Sequence, residues 1–137
     1  MYEPIRTQSV HSLSAQRWSA RELHHSREEQ LDIRLAGHLT ALLTVTDELR
    51  ALAPSGTLDD AAERLAERIT RMRGSAPLRA APSADRATPA RIGALHQRAH
   101  QLAGQALVVA TSANDPAGQA VAAECLRAHA AALGIPA

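Results

Sequence analysis

The chain has 137 residues, which suits one domain with a single core. Its formal charge is +1, with 15 basic residues that are all Arg, so no charge excess marks a general nucleic-acid or membrane-surface binder. Hydrophobic residues make up 45% but aromatic ones only 1%, so Leu, Ala, Val and Ile have to fill the core.

One cysteine, Cys125, excludes an intrachain disulfide and fits a reducing compartment. No stretch approaches about 18 consecutive apolar residues, so no membrane span is expected. The start, from Met1 to Arg6, lacks the apolar core of a signal peptide. The expected location is the cytoplasm.

Residues 1–8 hold Pro4 and no period, and read as an N-terminal arm. Residues 9–25 are helix-compatible, with Val10, Leu13, Trp18 and Leu23 as their large apolar side chains. Ser26-Arg27-Glu28-Glu29 then has the form of a capping box, in which a Ser hydroxyl and a Glu three residues on satisfy free amides. Two readings follow: a break near His25, or one helix from about Ser9 to Ala53. Running the apolar seam backwards meets Glu28, His24 and Arg17, which favours the break.

Leu31 to Leu52 is the strongest pattern in the chain. Leu31, Leu35, His38, Leu42, Val45, Leu49 and Leu52 recur in steps of four and three, the seam of a helix packed lengthwise on others. His38 is the one polar member. Leu39 and Leu43 form a second apolar line that widens the face and suggests exposed apolar surface. The helix is predicted from about Arg27 to Ala53 and stops at Pro54-Ser55-Gly56.

The next helix is predicted from about Leu58 to Arg73, with Thr57 as N-cap and Asp59 and Asp60 favoured by the helix dipole. Leu58, Ala62, Leu65, Ile69 and Met72 form its seam. Asp60 with Arg64, and Glu67 with Arg71, are spaced to pair along its outer face. Gly74 caps it, and residues 74–88 form a Pro/Ala-rich linker that is long for a bundle connection.

Thr88 as N-cap and Pro89 at the first helical position open a third helix, to about Ser112. Its seam is Ile92, Leu95, Ala99, Leu102, Ala106 and Val109. Ala103 and Leu107 widen the stripe, and His96 and His100 lie along that edge. Asp115 and Pro116 repeat the same start for a fourth helix, which runs to about Leu133 and is capped by Gly134. Val121, Ala122, Cys125, Leu126, His129, Ala132 and Leu133 share one of its faces.

These elements predict an all-α protein: an antiparallel four-helix bundle with an additional N-terminal helical segment, forming one domain over residues 9–137. Its chemistry concentrates in histidine. His96 and His100 stand one turn apart, as do Cys125 and His129. That spacing sets two ligands on one side of a helix, as metal sites on helices require. If the helices align, His38, His96, His100 and His129 are the candidate ligands of one divalent metal. The competing reading is a set of hydrogen-bonded core and surface histidines. No Glu occupies a core seam position, which weighs against a di-iron carboxylate centre.

The string His96-Gln-Arg-Ala-His100, with an earlier His and the terminal Leu126-Arg127 and Gly134-Ile-Pro136, resembles the DinB-like metal bundles in style. Gln101 follows His100 here, the Gly104-Gln105 pair is displaced, and the likeness covers only those pieces. It implies a His-based metal site in a helical bundle.

Other chemistries find little footing. Glu22-Leu-His-His25 is a single Glu-x-x-His string without the second copy that a bridged centre needs. Cys125 falls on a core face with no evident activating charge. There is no Gly-x-Ser-x-Gly elbow, Walker motif or dinucleotide-binding glycine pattern. Arg64, Arg68, Arg71, Arg73 and Arg79 are interleaved with Asp59, Asp60, Glu63 and Glu67, which dilutes an anion patch.

The expected function is therefore helix-mediated association, with a second copy or a partner protein, with no enzyme activity and no cofactor predicted. The alternative is a metal-binding bundle acting as a hydrolase, transferase or small-ligand binder.

Overall fold

The computed structural model describes residues 20–83 and 85–136, with side-chain surroundings from Ser26 onward. Four helices account for most of it: α1 (Ala20–Leu52), α2 (Gly56–Arg73), α3 (Pro89–Ser112) and α4 (Pro116–Leu133). No strand occurs among the described residues, and none of their helices is long and apolar enough to cross a membrane. The chain divides into two compact units, 1–30 and 31–137. Of the first, only the helical stretch 20–30 is described; the expected arm over 1–8 and Val10, Leu13 and Trp18 lie outside the described residues.

Local chemistry sets the helix ends. The Ser55 hydroxyl accepts from the Leu58 amide at 3.2 Å, so α2 starts one residue before Thr57. The expected Thr57 cap is thereby corrected: the helix begins at Gly56, Ser55 caps it through the Leu58 amide, and Thr57 falls inside the first turn. Thr88 caps α3 by accepting from Arg91 N at 3.1 Å, with Pro89 behind it. Asp115 caps α4 through Gly118 N at 3.1 Å. Gly74 and Gly134 close α2 and α4 at φ 79° and 72°, a region where a Cβ is penalised.

The break favoured near His25 is absent, because α1 runs through Ser26 without interruption. Arg27, Glu28, Glu29 and Gln30 are exposed, so polar seam positions there carry no burial cost.

Residues 31–137 share one core. It joins Leu35, Leu39, Leu42, Leu43, Val45 and Leu49 of α1 to Leu58, Ala62, Leu65 and Ile69 of α2. The α3 side adds Leu95, Ala99, Ala103, Ala106, Val109 and Ala110, and α4 adds Ala122 and Cys125. Each buried Leu contributes about 1.5–3 kcal/mol and each Ala methyl much less, so α1 and α2 supply most of the driving force. The alanines of α3 and α4 serve close approach instead. At Gly104 an added Cβ would make ordinary contact with Leu126 Cδ1, at 3.8 Å.

The buried stripe of α1 is wider than the seam: Leu35, Leu42, Val45 and Leu49 are buried, and Ala36, Leu39, Leu43 and Thr46 join them. Leu39 and Leu43 are 0% and 2% exposed, and Thr46 is fully buried between their rows. The expectation of exposed apolar surface at Leu39 and Leu43 is therefore corrected: both belong to the protein's own core. Thr46 is tolerated there because its hydroxyl donates to Leu42 O at 2.8 Å. His38 ends at the margin of the stripe, half-buried.

The linker is tied to α1. Arg79 donates to Asp47 at 2.7 and 3.0 Å, and Ser83 donates through its amide and hydroxyl to the Glu48 carboxylate, both at 2.8 Å. Arg50 bridges the end of α1 to the start of α2, donating to Asp47 at 3.1 Å and Asp59 at 2.8 Å.

Candidate functional site

The short turn at Ala113, Asn114 and Asp115 folds α4 back along α3. Asn114 takes φ 53°, and the Asp115 amide closes the turn onto Ala110 O at 3.0 Å. Asp115 also accepts from Arg68 at 2.8 Å, which pins the turn to α2. This geometry sets the register that brings His96 of α3 against His129 of α4.

The two rings meet edge to edge. Their Nδ1 atoms are 2.9 Å apart, the ring centroids 5.1 Å, and the planes are tilted by 51°. At that distance one Nδ1 donates and the other accepts, so the two rings hold opposite tautomers. His129 is 2% exposed, and His96 is half-buried. Burial pushes His129 down to about 4, helped by the nearby charges of His96 and then His100. Burial also lowers His96. The pair is thus neutral at pH 7.

Two grooves meet at His129. One, of about 340 Å³, runs between the start of α2 and α4 and is walled by Ser55, Thr57, Leu58, His96 and Ala132. The other, of about 300 Å³, carries Asp60, Arg64, Glu124, Cys125 and Arg127. Arg64 there bonds to Glu124 across the helix interface, with Asp60 contributing only through its charge. The expected pairing of Arg64 with Asp60 along α2 gives way because α4 offers a carboxylate directly opposite. Arg71 does reach Glu67, at 3.7 Å.

Cys125 is 3% exposed, and burial pushes its thiol up to about 11, with Glu124 adding and Arg64 opposing. It is a protonated core side chain at neutral pH, without the thiolate that nucleophilic or redox chemistry needs.

Of the expected ligands, His96 and His129 are brought into contact. His100 lies one turn further along α3, half-buried beside Gln97, Gln101 and Leu133. It is near enough for its charge to act on His129. His38 remains on α1 at the edge of its stripe. Among the described residues, no group of three or more His, Cys, Asp or Glu side chains is arranged to hold a metal ion.

The sequence places His96 and His129 in one converging set with His38 and His100; the direct contact of the two rings, without the other two, is what the spacing alone does not give. One signal was present: His96 and His129 lie at similar distances along the chain from the turn at Asn114. Comparison with protein-family models, with curated proteins and with solved structures finds no match.

Proposed function

We propose that the chain is an antiparallel four-helix bundle that acts by helix-mediated association with a second copy of itself rather than by catalysis. The observation that carries this reading is the outer strip of α1. Ile33 is 65% exposed, and Gly37 and Thr44 are exposed on the same side, opposite the core stripe. A Cβ placed on Gly37 would meet nothing within 4 Å, so a neighbouring backbone has room to approach. Further along the same side, Glu48 is held by Ser83, so the linker covers the strip there, while Ile33, Gly37 and Thr44 are exposed.

Charge supports pairing with a copy. Asp32 and Arg34 are exposed on opposite flanks of the strip. A parallel two-fold arrangement sets the Asp32 of one α1 against the Arg34 of the other. Such flanking charges select partner and orientation more than they add affinity.

Sedimentation equilibrium on the full chain tests the reading. A concentration-dependent dimer is expected, and Ile33→Gln should return it to monomer with helicity unchanged. A chain that stays strictly monomeric at high micromolar concentration would overturn it.

A further inference from the structure

Imidazole lone pairs are common metal ligands, and the His96–His129 contact can be compared with what a metal requires. Ligand nitrogens sit about 2.0–2.1 Å from a divalent first-row ion. Two of them about 2.9 Å apart therefore subtend about 90° at the ion, whereas a tetrahedral site spreads them to about 3.3 Å. The separation of the two Nδ1 atoms is 2.9 Å. That separation is set by the hydrogen bond between the rings; with the proton moved and both lone pairs turned toward one point, the nitrogens would take neighbouring positions of a square or octahedral field, the geometry of Cu(II) and Ni(II).

We propose that His96 and His129 bind a divalent ion of the Cu(II)/Ni(II) class through their two Nδ1 atoms, with solvent in the remaining positions. The inference is independent of self-association and rests on a different part of the molecule.

Access and chemistry both fit. His96 is half-buried, and both rings wall the groove of about 340 Å³, which gives an ion a way in and room for bound water. Ser55 in the same wall is committed to the Leu58 amide, so it does not compete as a ligand. In the metal-free pair one Nδ1 carries the shared proton. Ligation by both rings needs that proton moved to Nε2 of the same ring, a change of tautomer with no net proton loss. The α3–α4 packing already holds the rings together, so little ordering entropy remains to oppose chelation.

The main rival is a chelate within α3 alone, from His96 and His100 at i,i+4. Single substitutions separate the two. The untagged full chain is titrated with CuCl2 or NiCl2 by calorimetry, and the Cu(II) form is examined by electron paramagnetic resonance. One ion per chain is expected, with coupling to two nitrogens.

His96→Ala and His129→Ala should abolish binding, while His100→Ala and His38→Ala should leave it intact. Circular dichroism checks the fold of each variant. If buried His129→Ala fails to fold, retention in His100→Ala together with loss in His96→Ala still supports the cross-helix site. No ion bound, binding that survives loss of His96, or loss in His100→Ala alone would overturn it.

Discussion

Arg79 closes two hydrogen bonds on Asp47 from 32 residues further along the chain. Asp47 also accepts from Arg50, which reaches on to Asp59. One carboxylate thus joins α1, the linker and, through Arg50, the first turn of α2. Burial alone would raise the Asp47 pKa. The hydrogen bonds from Arg79 and Arg50 outweigh it and hold the group below its ordinary 3.8.

Replacing this carboxylate by a neutral amide, Asp47→Asn, leaves two guanidinium groups facing each other without their shared partner. The expected loss is about 1–2 kcal/mol at neutral pH, the range for hydrogen bonds to charged groups on a partly exposed site. The folded pKa lies below the unfolded one. The contribution is therefore complete above about pH 3.8 and disappears as pH falls through the lower folded value. Urea unfolding of wild type and variant should show midpoints that differ at pH 7 and converge in acid. Equal midpoints at pH 7 would show that the linker is not held by this contact.

Gly118 leaves no room for a side chain. A Cβ there would stand 2.6 Å from Asp115 Oδ2 and 3.2 Å from Leu35 Cδ2. Asp115 has nowhere to retreat without losing either the Gly118 amide or Arg68. Gly118→Ala gains helix propensity of up to about 1 kcal/mol, but overpacking costs about 1–3 and a broken cap about 1 more. A net loss of about 1–3 kcal/mol is expected. Gly93→Ala is the control of opposite sign. Its Cβ would meet nothing within 4 Å in α3, and about 0.5–1 kcal/mol should be gained. Thermal melts of both variants check the contrast.

Apart from the Thr57 cap and the start of α1, the helix ends were legible because they are local events. Thr88 before Pro89, Asp115 before Pro116, and Gly74 and Gly134 past the last turns each act on amides and carbonyls within a few residues. The full width of the buried face of α1 was not legible. The apolar rows through His38 and through Leu39 and Leu43 are nearly interchangeable in spacing. Both rows are buried, Leu35, Leu42, Val45 and Leu49 together with Leu39, Leu43 and a self-satisfied Thr46, and the imidazole of His38 is left at the margin, where its polar ring reaches water. The partners of Arg64 and His129 were hidden for another reason. Each is chosen across a helix interface by Glu124 or His96, and that register depends on the three-dimensional turn at Asn114.

The buried ring of His129 makes stability depend on pH in the metal-free protein. Its pKa falls from the ordinary 6.5 to about 4, through burial first and then through His96 and His100. The unfolded chain therefore binds the proton more readily between those values. Stability from this group is complete above about pH 6.5 and is lost as pH falls toward 4. Asp60, Arg64, Glu124 and Cys125 share the groove beside it, so the test compares proteins that differ only in the ring. His129→Leu keeps an apolar side chain in the core and leaves His96, half-buried, able to bond to solvent. Melting temperatures of chelator-treated wild type and variant are followed from pH 7 to pH 4.5. The wild type should lose more stability on acidification than His129→Leu does. Parallel curves would mean that His129 titrates alike in the folded and unfolded chain, and that its contact with His96 does not favour the neutral ring.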